Sequence, residues 1–79
     1  MSLYQTPKLV DPRQIKAARA LLDMSQRDLG QLLGVDPRMI RFIEKRIPRA
    51  ARKRLLLERT LEAAGVECFS TPNVGVRYL

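Results

Sequence analysis

The sequence predicts a mainly α domain of four short helices followed by a β-hairpin or an extended tail. Three observations carry this. Capping signals recur along the chain at Asp11-Pro12, Ser25…Asp28 and Asp36-Pro37. Each precedes apolar residues at helical spacing. After Gly65 the pattern changes to short β-branched and aromatic runs separated by turn residues.

Asp11 as N-cap, Pro12 at the first helical position and Gln14 set the start of a first helix, about 12–23. Ile15, Ala18 and Leu22 form its stripe, with Leu21 beside them. Ser25 and Asp28 form a capping box for a second helix, about 26–33. Leu29, Leu32 and Leu33 make its apolar face, and Gly34 ends it where a left-handed residue is needed. Asp36 and Pro37 open a third helix, about 37–45, which turns Ile40 and Ile43 inward. Pro48 stops it. A fourth helix, about 49–64, buries Leu57, Leu61 and Ala64, with Leu55 alongside and Gly65 as its C-cap. Val66-Glu67-Cys68-Phe69 and Val74-Gly75-Val76-Arg77-Tyr78 are strand-like, and Ser70-Thr71-Pro72-Asn73 between them is turn chemistry. The expected division is an N-terminal arm at 1–11, a helical domain at 12–65, and a tail at 66–79 that is also the candidate dimerisation element.

Composition excludes several classes of function. The chain has 79 residues, no His and one Cys. It therefore has no His-based triad, no His/Cys zinc site and no internal disulfide. There is no acid pair, Gly-rich phosphate loop or nucleophile–base pair, so no enzyme, cofactor or metal is expected. Residues 1–11 lack the apolar stretch of a signal peptide, and no apolar run is long enough to span a membrane. The expectation is a soluble cytoplasmic, nucleoid-associated protein without a small-molecule ligand.

The formal net charge is +7. Residues 37–59 hold Arg38, Arg41, Lys45, Arg46, Arg49, Arg52, Lys53, Arg54 and Arg59 against only Glu44 and Glu58, so this third of the chain carries the whole surplus. A basic surface of this kind favours a polyanionic partner.

Two short helices joined by a Gly-containing turn, the second of them basic, form a helix-turn-helix arrangement. The stretch resembles the Xre/Cro-type helix-turn-helix family of phage and bacterial transcription regulators. Gln26, Leu29, Gly34, Val35, Ile40 and Glu44 stand in register with that family's pattern. The likeness extends to Leu61-Glu62-Ala63-Ala64-Gly65-Val66-Glu67 and covers about residues 13–67. Val35 is expected to plug the gap between the two helices, and a small residue at 30 to let them approach. Gly30 stands where the family usually has Ala. Asp36 stands where Ser or Thr is common; it can cap but repels phosphate. Pro37 lacks an N–H for a phosphate yet can touch a thymine methyl.

The resemblance implies a phage repressor-like fold and a structural ion pair between Arg19 and Glu44. Base contacts in the major groove are assigned to Arg38, Arg41, Phe42 and Pro37, at or near the exposed N-terminal half of the recognition helix. Phe42 has an alternative, packing against a neighbouring helix. Phosphate contacts are assigned to Gln26, Arg27, Lys45, Arg46, Arg49, Arg52 and Lys53. Cys68 is read as a small buried hydrophobe. Tyr4, Phe69 and Tyr78 are read as packing residues, with Tyr4 in an arm able to reach DNA. The expected function is a transcription regulator of the repressor kind that occupies an inverted-repeat operator on double-stranded DNA as a homodimer. RNA polymerase or another regulator is a further candidate partner, and a mobile element a candidate setting. An antitoxin-like or anti-activator interaction module on the same fold is the alternative. An RNA adaptor is less favoured, because an A-form major groove is too narrow for a helix.

Overall fold

The computed structural model describes residues 7–79; Tyr4 and most of the expected arm lie outside them. The elements are α1 (Arg13–Leu22), α2 (Gln26–Leu33), α3 (Pro37–Ile43), α4 (Ala51–Ala64), β1 (Val66–Phe69) and β2 (Gly75–Tyr78).

Local signals set most of the boundaries. The Ser25 hydroxyl accepts the Asp28 N–H and the Asp28 carboxylate accepts the Ser25 N–H, both at 2.9 Å, so the capping box of α2 is closed. The carboxylate of Asp36 accepts the Arg38 N–H at 2.8 Å and caps α3. Gly34 ends α2 at φ 71°, a backbone conformation that a side chain disfavours. Asp23 ends α1 in the same region at φ 55°, so that helix stops one residue early.

Three other helix ends depart from the sequence reading. α1 starts at Arg13, with Pro12 rather than Asp11 in the N-cap position; Asp11 stands one residue further out and accepts the Arg13 N–H from there. α3 ends at Ile43 rather than near 45. The N–H groups of Lys45 and Arg46 both donate to the Phe42 carbonyl at 3.0 Å, which tightens and closes the last turn. Pro48 forces its predecessor Ile47 out of the helical region, so the helix cannot run on. α4 starts at Ala51 rather than 49, because Ala50 is extended (ψ 121°) and offers no side-chain cap.

The core is formed by Leu9, Ile15, Ala18, Leu29, Ile40, Ile43, Leu57, Leu61, Val66 and Cys68. β1 and β2 pair antiparallel with Val66 opposite Tyr78 and Cys68 opposite Val76. The alternation along β1 sends Val66 and Cys68 into the core. On the other face Arg77 donates to Glu67 at 2.6 Å and lies 4.8 Å from the centre of the Phe69 ring. The Phe69 ring covers Gly75, where an added Cβ would lie 2.5 Å from it. Tyr78 donates its hydroxyl to the Leu21 carbonyl at 2.7 Å, which fastens the hairpin to α1.

Two buried polar side chains, Gln14 and Glu58, tie residues 8–11 and the hairpin to the helices. Gln14 accepts the Val10 and Asp11 N–H groups at 2.7 and 3.0 Å. Its amide nitrogen donates to the carbonyls of Lys8, Phe69 and Gly75 at 3.0–3.1 Å. Glu58 accepts the N–H groups of Lys8 and Leu9, the latter at 2.7 Å. Buried polar groups of this kind persist because their partners are satisfied. Residues 8–11, just before α1, are therefore built into the domain, with Leu9 fully buried.

The α2–α3 turn corrects two further expectations. Leu32 is 53% exposed and does not share the inner face with Leu29. Val35 is 38% exposed and its side chain is not part of the core. The gap between the two helices is filled by the Val35 carbonyl, which would lie 2.7 Å from a Cβ at position 30. Glycine is thus demanded by backbone contact. Gly30→Ala gains up to about 1 kcal/mol of helix propensity but must displace that carbonyl, at a cost of about 1–3 kcal/mol. The expected net result is a lower midpoint in thermal unfolding; an unchanged or raised midpoint contradicts this packing.

Candidate nucleic-acid interface

α3 buries only Ile40 and Ile43. Every other residue of this seven-residue helix is exposed: Pro37, Arg38, Met39, Arg41 and Phe42. Phe42 is 61% and Met39 50% exposed. Of the two settings open to Phe42, the structure thus adopts the exposed one. Met39 is an outward apolar residue that the sequence reading left out. Its three-residue spacing from Phe42, off the face that holds Ile40 and Ile43, was the signal for it.

α3 is held in place by one ion-pair network. Arg19 of α1 grips Glu44, the C-cap residue of α3, through Nε to Oε2 at 3.1 Å and Nη2 to Oε1 at 2.8 Å. The pair is largely buried, with side-chain exposures of 15% and 8%. Arg19 also donates to the Met24 carbonyl at 3.0 Å, at the turn before α2. Gln26 at the start of α2 donates to Glu44 at 3.2 Å. One carboxylate therefore joins α1, α2 and α3. Burial raises the cost of ionising Glu44, but the hydrogen bonds from Arg19 and Gln26 outweigh it and hold its carboxyl below the ordinary value. Gln26, assigned to phosphate from sequence, is thus also part of this support.

The basic residues beyond α3 are exposed as well: Lys45 and Arg46 in the turn, Arg49 before α4, and Arg52 and Lys53 in its first turn. An open cleft of about 360 Å³ brings Phe42, Arg46, Arg49 and Lys53 together, with Ile47 and Pro48 as its apolar wall. Arg27, Lys45 and Arg52 are exposed but do not line this cleft. Arg54 turns back, donating to the Arg49 carbonyl at 3.3 Å. α4 has no side-chain cap and no acid in its first turn. Its exposed N–H groups and the basic side chains around them form one positive region.

Arg38 is not extended into solvent alone. Its guanidinium contacts Asp36 through Nε to Oδ1 at 3.2 Å and Nη2 to Oδ2 at 3.3 Å. These contacts, with the backbone cap, hold the Asp36 carboxyl below its ordinary value. Sequence reasoning treated Asp36 as a cap alone. Cys68 is buried, and burial among apolar neighbours pushes its thiol up to about 12, so it stays a protonated packing residue. Among the described residues no cluster of potential metal ligands is present, and no helix is long and apolar enough to cross a membrane.

Two consecutive helices, a turn opened by Gly34 and an outward basic second helix define a helix-turn-helix DNA-binding domain. The Helix-turn-helix family profile matches residues 15–61, more than half of the chain. The protein belongs to this family, that of the Xre/Cro-type DNA-binding regulators. No curated protein and no solved structure matches the chain.

The buried pair sets a pH signature. Glu44 titrates lower in the folded chain than in the unfolded one, so the unfolded state binds the proton more readily. Its contribution is complete above about pH 4.5 and drains away as pH falls through the folded value. Arg19→Met leaves a buried carboxylate without its partner and should cost about 3–5 kcal/mol. Glu44→Gln should flatten this part of the acid-side loss. Thermal unfolding across a pH series measures both, and an unchanged midpoint in Arg19→Met refutes the assignment.

Proposed function

We propose that the protein is a sequence-specific, double-stranded DNA-binding transcription regulator that occupies an inverted-repeat operator as a homodimer. The observation that carries this reading is the surface of α3. Its scaffold side is closed by two buried isoleucines, while Arg38, Arg41 and Phe42 stand exposed beside the cleft of Arg46, Arg49 and Lys53. In such a docking, α3 enters the major groove and its exposed side chains meet base edges. Arg38 and Arg41 suit the O6 and N7 acceptors of guanine, and Phe42 and Pro37 suit thymine methyls. The basic residues around the start of α4, with Gln26 and Arg27 at the start of α2, hold phosphates. A phosphate there offsets the repulsion between the first-turn cations of α4 and its positive helix end.

One seven-residue helix reaches few bases, which favours two copies on DNA with recognition helices about 34 Å apart. β1 is built into the core of its own chain, so the pairing surface narrows to the β2 side of the hairpin. There Val74, Tyr78 and Leu79 are 49%, 63% and 68% exposed, and β2 is paired on one side only.

Selection of bound sequences from random duplex DNA at two salt concentrations tests the reading, with an enriched inverted repeat expected. Arg38→Ala should relax preference at one position by about 1–3 kcal/mol. Arg49→Ala should weaken all sequences evenly and reduce the salt slope by about 1. Equal effects from the two variants sink this division of labour. Val74→Glu combined with Leu79→Glu should give a monomer in sedimentation and weaken operator binding, with the helical circular-dichroism spectrum retained and the unfolding midpoint no longer dependent on protein concentration. A wild-type monomer both free and on DNA contradicts the dimer.

A further inference from the structure

Asp-Pro-Arg occurs twice in the chain, at residues 11–13 and 36–38. Both copies fold into the same clamp. At the start of α1 the Arg13 N–H donates to Asp11 Oδ1 at 2.8 Å, and Arg13 Nε and Nη2 reach the same carboxylate at 3.1 and 2.7 Å. At the start of α3 the Arg38 N–H donates to Asp36 Oδ1 at 2.8 Å, and Nε and Nη2 follow at 3.2 and 3.3 Å. The surroundings differ. Asp11 is half-buried beside Gln14, whereas Asp36 is exposed on the α2–α3 turn. The clamp is therefore a local property of the tripeptide. Proline fixes the backbone, the carboxylate accepts the N–H of the arginine two residues on, and the guanidinium of that arginine lies over the same carboxylate.

We infer that Asp36 is a specificity-determining residue that positions Arg38 for guanine. This rests on the DNA-binding reading of α3 given above. A guanidinium has five N–H groups in a rigid plane. Asp36 occupies the edge formed by Nε and Nη2. The edge formed by Nη1 and the second hydrogen of Nη2 remains, and its two parallel donors match the O6 and N7 acceptors of one guanine.

The carboxylate also changes what Arg38 prefers. A bare arginine at a groove is drawn to the nearest phosphate by charge. Paired with Asp36 it forms a site of no net charge, so the Coulombic gain from a phosphate largely disappears. The Asp36 carboxylate itself repels phosphate oxygens. Hydrogen bonds to the neutral acceptors of guanine suffer less from the pairing. The clamp thus removes rotamer freedom from Arg38 before binding and biases it from backbone to base. This explains why the acid at 36, a poor neighbour for DNA in isolation, stands two residues from the arginine assigned to base contact.

The test is sequence selection from random duplex DNA with the full chain and its Arg38→Ala, Asp36→Ser and Asp36→Asn variants. It is accompanied by affinity for a non-specific duplex over a salt series. Ser and Asn retain a helix cap, so both Asp36 variants should unfold at nearly the wild-type temperature. Wild type should select guanine at the position that Arg38→Ala relaxes. In Asp36→Ser and Asp36→Asn the guanine preference there should fall about threefold to tenfold while the other positions keep theirs. Non-specific affinity should rise, with a salt slope steeper by about 1, as the released arginine takes a phosphate. Unchanged guanine preference in both Asp36 variants overturns the positioning role and leaves the DNA-binding reading intact. Loss of preference at every position together shows a merely structural cap and also overturns it. Absence of any selected sequence with wild type overturns both.

Discussion

The bridge between Arg19 and Glu44 is the interaction on which the rest of the molecule depends. α3 has seven residues and two buried side chains, far too little to stand as an independent helix in water. Its position must be imposed from outside. The Glu44 carboxylate does this from the C-terminal end, binding Arg19 from α1 and Gln26 from α2 at once. At the other end Gly30 admits the Val35 carbonyl, so the turn seats α3 against α2 without a gap. The exposed side chains of α3 can then serve as a surface, because none of them is needed to hold the helix.

The charge follows the same division. Two acids lie within the basic third of the chain, and both are turned to scaffold work. Glu44 sits in the bridge, while Glu58 accepts the backbone N–H groups of Lys8 and Leu9. Neither is spent on neutralising the exposed cations. The outward surface is therefore more positive than the composition of the segment alone states, with Asp36 as the exception, bound to Arg38.

What was legible in the sequence was local. The Ser25–Asp28 box, the Asp36-Pro37 start and the Gly34 and Gly65 stops each act through neighbours within a few residues, and α2 falls where they place it. The hairpin was legible for the same reason, since turn residues separate two β-branched runs. The Arg19–Glu44 pair was reachable only through the family resemblance, because nothing in the chain's spacing joins positions 25 apart. The end of α3 was misplaced because the restriction Pro48 puts on Ile47 acts together with a tightened last turn. The roles of Leu9, Gln14 and Glu58 could not be read, since their partners lie up to 61 residues away. Leu32 shows the limit of periodicity in a short helix: at the right spacing for the inner face, it instead borders an open cleft against α4 and stays 53% exposed. Of the candidate site, the identity of the basic residues was legible, but not which of them share a cleft.

The central claim is that one surface, from the start of α2 to the first turn of α4, meets DNA while the rest is scaffold. Amide chemical-shift mapping on addition of a duplex tests it most directly. The predicted result is perturbation confined to residues 26–54, strongest in α3 and around Arg46–Lys53, with α1 and the core-facing strand β1 unmoved. Perturbation centred on α1 or β1, with α3 silent, would contradict it.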